Sequence, residues 1–185
     1  MTVIVGLEHD GKVWIGGDSA GVAGYDLTVR ADEKVFINRN MIFGFTSSFR
    51  MGQLLRYAFT ASPQNVDQLD DQYMATTFVN DVRRCLKDGG YAKKKDETEI
   101  GGQFLVGYKG LLYKIDADYQ VARSAASAIT DGRVFSAVGC GAQVALGAMA
   151  AMQNSVGPHN QLSMALHAAE AYSAGVRKPF TILSL

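Results

Sequence analysis

The sequence predicts an α+β fold in which two mainly antiparallel β-sheets stack face to face between outer helices, a four-layer αββα sandwich. Groups of short apolar segments, separated by turn signals, alternate with pairs of amphipathic segments of helical length. The order along the chain is strands, two helices, strands, two helices and a final strand. This order differs from the strict strand–helix alternation of a parallel doubly wound sheet. The 185 residues are expected to form one domain, residues 1–185.

The first half of the chain contains four predicted strands and two predicted helices. Asp10-Gly11 is a hairpin signal between the first two strands, and Pro63 ends the first helix. The small residues 18–24 are interpreted as a loop. The predicted strands are Val3–Leu7, Val13–Gly17, Lys34–Asn38 and Met41–Phe45. The predicted helices run from Ser47 or Ser48 to about Phe59 and from about Val66 to Leu86.

The second half opens on a polar stretch, Asp88–Glu99, that is interpreted as a solvated loop. Strands then resume around the Lys109-Gly110 turn, and Gly157-Pro158 separates the last two helices. The predicted strands are Gln103–Tyr108, Leu111–Asp116, a short one near Val121, Val134–Val138 and Phe180–Leu185. The predicted helices are about Ala142–Gln153 and His159–Ala174.

Composition excludes several classes of function. Eighteen Lys and Arg residues balance eighteen Asp and Glu residues, which gives no support for nucleic acid or an anionic membrane as a partner. No apolar stretch reaches membrane-spanning length, and the first residues lack the features of a signal peptide. Cys85 and Cys140 lack metal-ligand spacing, so the sequence predicts a cytoplasmic protein with no metal.

The N-terminus carries a candidate nucleophile. Initiator methionine is usually removed when the next residue is small, so the chain is expected to begin with a free Thr2. A terminal threonine combines a hydroxyl nucleophile with an α-amine that can accept its proton. Such an amine titrates at about 7.7–8.0, so it can act as a base near neutral pH.

Five further motifs follow along the chain. Gly16-Gly17-Asp18-Ser19 lies sixteen residues after Thr2, and Glu33-Lys34-Val35 follows sixteen residues later. The later motifs are Gly44-Phe45-Thr46-Ser47-Ser48, Gly139-Cys140-Gly141 and Glu170-Ala171-Tyr172-Ser173-Ala174-Gly175. With these five motifs in register, the sequence resembles the proteasome β-subunit and HslV-type peptidase family of N-terminal nucleophile hydrolases. The resemblance extends over nearly the whole chain.

The resemblance implies a catalytic set. Thr2 matches the family nucleophile, Asp18 the family aspartate and Lys34 the family lysine beside the nucleophile. An ammonium at Lys34 would disfavour protonation of the nearby α-amine, and Asp18 would hold Lys34 charged and oriented. Cys140 occupies the position of a family serine, Glu170 that of an aspartate, and Ser173 matches a supporting serine.

The resemblance also implies the surroundings of the nucleophile. The backbone N–H of Ser47 or Ser48 falls where the family has its oxyanion donor, normally at a pair of glycines. The substrate pocket is expected to include Gly21, Val22, Asp32, Phe36 and Phe45.

The implied function is that of a threonine-type endopeptidase subunit in a self-compartmentalising particle. The resemblance implies a homo-oligomeric ring with interior active sites, peptides or unfolded proteins as substrates, and an ATP-dependent unfoldase as a partner. No cofactor is required by this chemistry. Because Cys140, Glu170 and Ser47-Ser48 depart from the family pattern, two alternatives remain open: a non-catalytic ring or scaffold subunit, and an amidase acting on small amides. Cys140 as the nucleophile is disfavoured, because no histidine is placed to activate it.

Overall fold

The structure is a computed structural model that describes residues 1–91, 93–95, 98–125, 133–152 and 156–185. Within these ranges the chain forms thirteen strands and five helices. The strands are β1 (Val3–His9), β2 (Lys12–Gly17), β3 (Ala20–Ala23), β4 (Asp26–Val29), β5 (Val35–Asn38), β6 (Met41–Phe45), β7 (Lys93–Lys95), β8 (Thr98–Ile100), β9 (Phe104–Tyr108), β10 (Leu111–Ile115), β11 (Val121–Ala122), β12 (Val134–Gly139) and β13 (Thr181–Ser184). The helices are α1 (Phe49–Tyr57), α2 (Asp70–Tyr73), α3 (Val79–Asp88), α4 (Ala142–Met152) and α5 (Pro158–Tyr172), and a π-helical turn, Met74–Phe78, joins α2 to α3.

Two antiparallel sheets form the centre of the fold. The smaller sheet has the strand order β12-β1-β2-β13, and the larger has the order β11-β10-β9-β6-β5. The β1–β2 hairpin pairs His9 with Lys12, so its turn consists of Asp10 and Gly11. Both turn residues have positive φ, 49° and 70°, as a tight hairpin turn requires. The Asp-Gly signal therefore predicted this turn correctly.

The two sheets pack directly against each other. Residues from both inner faces, among them Ile4, Ile15, Ile42 and Leu105, are fully buried in one cluster. The alternate residues of β1, Val3, Val5 and Leu7, are also fully buried but point to the outer layer. Since both faces of β1 are buried, its sequence is a continuous apolar run rather than an alternating one.

Helices cover the outer face of each sheet. α4 and α5 pack on the smaller sheet, where Leu162, Ala165, Leu166 and Ala169 form the buried stripe of α5 at helical spacing. α1 and α3 pack on the larger sheet around Phe43 and other aromatic residues. The order of layers is helices, sheet, sheet, helices. This confirms the predicted α+β class and the αββα sandwich.

The prediction of a loop at residues 18–24 was wrong. β3 and β4 form a separate two-stranded hairpin, with Ala20 paired to Val29 and Ala23 paired to Asp26. All four residues of β4 are exposed, so its sequence shows no alternation between buried and exposed positions. Hydrophobic periodicity therefore does not predict this hairpin.

The second predicted helix begins later than expected. It starts at Asp70 rather than near Val66, because the Gln64 amide donates to the Gln68 carbonyl at 2.6 Å and to Asp70 Oδ1 at 2.9 Å. These bonds hold the preceding residues in a non-helical turn.

The prediction of a solvated loop at Asp88–Glu99 was wrong in part, since the described backbone pairs β7 with β8. Residues 92, 96 and 97 lie outside the described part of that stretch.

Candidate active site

The ends of three strands, from both sheets, bring Thr2, Asp18 and Lys34 together. Thr2 precedes β1 and Asp18 follows β2, and the pairing of Ile4 with Gly17 places these two ends side by side. Lys34 precedes β5, which belongs to the other sheet. An ideal Cβ at Gly17 would lie 2.7 Å from Ile4 Cδ1 and 2.9 Å from Val35 Cγ2, so glycine permits the close approach of the sheets here.

The Thr2 hydroxyl lies between a cation and an anion. Lys34 Nζ donates to Thr2 Oγ1 at 2.6 Å, and Thr2 Oγ1 donates to Asp18 Oδ1. All three side chains are nearly inaccessible to solvent, with exposed fractions of 2% for Thr2, 1% for Asp18 and 3% for Lys34. The hydroxyl is therefore held in one orientation by two charged groups away from bulk water.

Lys34 uses all of its hydrogen-bonding capacity. Besides Thr2 Oγ1, its ammonium donates to Asp18 Oδ1 at 2.9 Å and to the Ala20 carbonyl at 2.6 Å. Burial lowers the pKa of Lys34 below its ordinary value, and the nearby Asp18 carboxylate offsets part of that effect. The lowered pKa makes the neutral amine more accessible than in an exposed lysine.

Asp18 is fixed by the backbone as well as by Lys34. Its Oδ1 accepts from the N–H of Val3 at 3.0 Å, and its Oδ2 accepts from those of Ala20 at 2.9 Å and Arg177 at 3.2 Å. These three amides come from distant parts of the chain. The carboxylate therefore joins the start of β1, the start of β3 and the segment after α5 at one point, and it cannot move independently of them.

A cleft of about 120 Å³ opens beside Thr2. Its lining consists of Met1, Thr2, Val22, Lys34, Phe45, Thr46, Ser47, Ser48 and Phe49. The cleft gives the buried hydroxyl access to a ligand. Its walls combine apolar side chains with a few polar groups, as small-molecule and peptide sites commonly do.

The backbone at Ser47 adopts an uncommon conformation. Ser47 has a φ of 69°, and the Ser48 N–H donates to the Thr46 carbonyl at 2.8 Å. A hydrogen bond of this span around a left-handed residue is a strained γ-turn. The Ser48 amide is thus already bonded, whereas no hydrogen bond joins the Ser47 amide to another residue in the described part of the chain.

The predicted pocket residues divide into three groups. Val22 and Phe45 line the cleft beside Thr2. Asp32 instead lines a neighbouring cavity of about 80 Å³, which shares the Phe45 ring, and Gly21 lies beneath the Arg30 side chain. Phe36 does not line either cavity: it is buried in the core and stacks on Phe43 at 5.3 Å between ring centroids. Phe36 shares the helix-covered face of the larger sheet with Phe45, but it packs on Phe43 in the core and does not reach the cleft.

The three predicted residues from the C-terminal half are less closely joined to Thr2. Cys140 Sγ donates to the Thr2 carbonyl at 3.4 Å. Glu170 Oε1 accepts from the Lys178 N–H at 3.0 Å, so it supports the segment after α5 rather than the hydroxyl. Ser173 lies at the C-terminal end of α5, where its amide donates to the Ala169 carbonyl. The structure thus gives Glu170 and Ser173 no direct hydrogen bond to Thr2.

The sequence analysis missed Phe49, which lines the cleft, and Arg30, which stacks on the Phe49 ring. Phe49 forms part of the cleft wall, with the Arg30 guanidinium 3.9 Å from the ring centroid. Arg30 also forms a bidentate ion pair with Asp32, at 2.6 and 2.7 Å, and this pairing lowers the pKa of Asp32. The Arg30-x-Asp32 spacing was visible in the sequence, but the stacking on Phe49 depends on a contact between distant segments.

Metal binding and membrane insertion receive no support from the described residues. Within them, no group of three or more His, Cys, Asp or Glu side chains could hold a metal ion. No helix in the described ranges combines the length and apolarity needed to cross a bilayer.

Comparison with solved structures identifies the fold. BPH from Thiobacillus denitrificans, solved in complex with epoxomicin, matches with a TM-score of 0.77 and 18% identity, covering 99% of this chain and 97% of that one. Eukaryotic HslV from Trypanosoma brucei matches with a TM-score of 0.67 and 16% identity, over 99% and 98% of the two chains. Anbu, the ancestral β-subunit, from Yersinia bercovieri matches with a TM-score of 0.65 and 14% identity, over 98% and 80%. No protein-family model and no curated protein matches the sequence.

The chain therefore has the fold of the proteasome-like N-terminal nucleophile hydrolases. The resemblance inferred from five short motifs is confirmed at the level of the fold, over nearly the full length of the chain.

Proposed function

We propose that this protein is a threonine-type endopeptidase, with Thr2 as its N-terminal nucleophile after removal of Met1. One observation carries the proposal: the buried Thr2 hydroxyl is hydrogen-bonded to both Lys34 and Asp18 at the base of an open cleft. An ordinary structural ion pair would not need a hydroxyl bonded to both of its partners or a cavity beside them. The proteasome-like fold supports the same interpretation.

The first chemical step is attack by Thr2 Oγ1 on the carbonyl carbon of a peptide bond. The hydroxyl proton passes to a base, either the Thr2 α-amine released by loss of Met1 or the neutral form of Lys34, whose pKa is lowered by burial. The attack forms a C–O bond and moves the carbonyl π electrons onto oxygen. The oxyanion needs a preorganised donor, and the Ser47 amide in the adjacent turn has no acceptor within the described ranges of the chain.

Collapse of the tetrahedral intermediate breaks the C–N bond. The leaving amine takes the proton held by the base and departs, and an ester joins the acyl group to Thr2. Water then attacks the ester with the same base as proton acceptor, which releases the carboxylic acid and restores the hydroxyl. Asp18 keeps Lys34 in place throughout, because its Oδ1 accepts from the ammonium at 2.9 Å.

Removal of Met1 is the step that exposes the α-amine. Met1 is more than half exposed and lines the cleft, so it is accessible to an aminopeptidase and occupies space that a substrate needs. An ideal Cβ at Gly175 would lie 2.3 Å from Met1 Cβ, so the missing side chain at that position makes room for the first residue. We expect the mature chain to bind ligands that the Met1-bearing chain cannot.

The similarity of the fold to HslV supports a further proposal about assembly and partners. We propose a homo-oligomeric ring that encloses the active sites and acts on peptides or unfolded proteins in the cytoplasm, with an ATP-dependent unfoldase as a partner. Sedimentation or native mass spectrometry of the purified protein measures the assembly directly. A monomer would contradict the ring.

The nucleophile is tested by peptide cleavage and by covalent labelling. Thr2→Ala should abolish cleavage, whereas Thr2→Ser, which keeps the hydroxyl and the amine, should retain measurable activity. Because BPH was solved with epoxomicin, this compound is the natural probe. We expect a mass increase on the first peptide of the mature wild-type protein and none on Thr2→Ala. Full activity of Thr2→Ala would refute the proposal.

A second candidate function, a non-catalytic subunit with the same fold, is favoured by one observation. The Ser48 amide, one of two candidate oxyanion donors, is already bonded to the Thr46 carbonyl. Intact mass separates the two candidates in part, since a chain that retains Met1 in cells has no free amine at Thr2. Loss of Met1 together with epoxomicin labelling would exclude the non-catalytic alternative.

A further inference from the structure

A side-chain hydrogen bond at Ser47 holds the segment Thr46–Ser48. Two glycines at Ser47 and Ser48, as the family normally has, could not form this bond. Ser47 Oγ accepts a hydrogen bond from the Gln103 N–H at 3.0 Å, and the Thr46 N–H donates to the Gln103 carbonyl at 3.0 Å. The last regular pair of the β6–β9 ladder is Phe45 with Phe104. The Ser47 hydroxyl therefore acts in place of a backbone carbonyl and extends that ladder by one more hydrogen bond.

This contact accounts for the conformation of Ser47. A serine with positive φ is uncommon, because its Cβ is crowded in the left-handed region. The hydrogen bond to Gln103 offsets this cost by fixing the side chain against the neighbouring strand. An ideal Cβ at Gly102 would lie 2.9 Å from Ser47 Cβ, so glycine at that position lets the two segments come together.

The far side of the contact is also anchored. Gln103 Nε2 donates to Asp116 Oδ1 at 2.8 Å, and Asp116 Oδ2 lies 3.0 Å from Lys114 Nζ at the end of β10. On the other side of the turn, Ser48 Oγ caps α1 by accepting from the Arg50 N–H at 3.1 Å. The turn is thus held at both ends, while the Ser47 amide has no acceptor among the described residues.

We propose that the Ser47 hydroxyl is a positioning residue: its hydrogen bond to the Gln103 N–H holds the left-handed turn that directs the Ser47 amide, rather than that of Ser48, to the oxyanion. The inference rests on the proposed function, and it assigns the donor that the sequence left open between two serines. The Ser47 side chain does not touch the reacting atoms. It acts through the orientation of its own backbone N–H.

Two substitutions test the role of the hydroxyl. Ser47→Ala removes the acceptor and keeps the Cβ that disfavours positive φ, whereas Ser47→Gly removes the acceptor and tolerates positive φ. If the hydrogen bond holds the turn, amide hydrogen exchange at residues 46–49 should become faster in both variants. Unchanged exchange in both would overturn the inference, whatever the activity.

Kinetics test the catalytic consequence. Misplacing one oxyanion donor should lower kcat by about 10- to 100-fold with little change in KM, because the donor is needed mainly in the transition state. Ser47→Gly with wild-type kcat would show that the hydroxyl is dispensable and would overturn the inference. Tyr73→Phe is a suitable control, because it removes one buried hydrogen bond elsewhere, from the Tyr73 hydroxyl to the Ser62 carbonyl, and should leave kcat unchanged.

These outcomes separate the two proposals. Wild-type cleavage that is abolished by Thr2→Ala but unaffected by Ser47→Ala would refute the role of Ser47 and leave the threonine peptidase standing. A mature wild-type chain with no cleavage and no labelling of Thr2 would refute both.

Discussion

The Cys140 thiol lies 3.4 Å from the carbonyl oxygen of Thr2, and the amide of Gly141 donates to the same oxygen at 3.3 Å. The turn between β12 and α4 therefore holds the residue that carries the proposed nucleophile. A thiol is a weak hydrogen-bond donor, so this support is weaker than a hydroxyl would provide.

Cys140→Ser should strengthen that support. A serine hydroxyl is a better donor to the Thr2 carbonyl, so we expect peptidase activity to rise by about two- to tenfold. Steady-state cleavage of a fluorogenic peptide measures the change. Cys85→Ser is the matched control, since Cys85 Sγ contacts only the Leu54 carbonyl, at 3.8 Å, among its described hydrogen bonds. Equal activity in wild type and Cys140→Ser would show that the thiol does not limit catalysis.

Lys34→Met should change both activity and the dependence of stability on pH. Loss of the amine should lower cleavage by at least about 100-fold, as for other residues that assist proton transfer. Burial lowers the pKa of Lys34 in the folded state, so between that lowered pKa and the ordinary value of 10.5 the unfolded chain binds more protons than the folded one. The free energy of unfolding of the wild type should therefore rise with pH in this window.

Urea unfolding at pH 7 to 10 measures this slope. Lys34→Met should lose this slope, and its overall stability should fall because the buried Asp18 carboxylate loses its cationic partner. Lys87→Met makes the same exchange at an exposed position of α3 and should keep the wild-type slope. If the free energy of unfolding changed equally with pH in wild type and Lys34→Met, the pH dependence could not be due to Lys34.

Gly139→Ala should damage the site through sterics alone. Gly139 has a φ of 101°, and an ideal Cβ there would lie 2.3 Å from the Thr2 carbonyl oxygen. We expect the free energy of unfolding to fall by about 1–3 kcal/mol. Peptidase activity should also fall, and by more than the loss of folded protein explains, because the clash displaces Thr2. Gly147→Ala offers a control of opposite sign: it lies inside α4 with open space around it, and should stabilise by about 0.5–1 kcal/mol.

Tyr73→Phe should flatten the loss of stability in alkaline solution. Burial raises the pKa of Tyr73 to about 12 from an ordinary value of 10.0. From about pH 10 the unfolded chain loses the phenolic proton while the folded chain keeps it, so the stability due to the neutral phenol is complete below pH 10 and disappears by about pH 12. Unfolding of wild type and variant at pH 9 and 11.5 measures the difference. A decline of equal size in both proteins would show that Tyr73 does not contribute.

Prediction from the family resemblance selected Thr2, Asp18 and Lys34, whose side chains the structure brings into hydrogen-bonding distance. It failed for Phe36, because the resemblance gave a position in the chain but not how far along the sheet the cleft extends. It also missed Phe49, whose place in the wall depends on where α1 packs.

By itself the sequence determined the short-range features: the Asp10-Gly11 turn, the apolar runs of the central strands and the serine that caps α1. These depend on backbone preferences and periodicity within a few residues. Only the tertiary structure decided that β12 pairs with β1, that the Arg177 amide reaches Asp18, and that the Ser47 hydroxyl bonds to Gln103. Such contacts join residues 56 to 159 positions apart, and they form only when both sheets have packed.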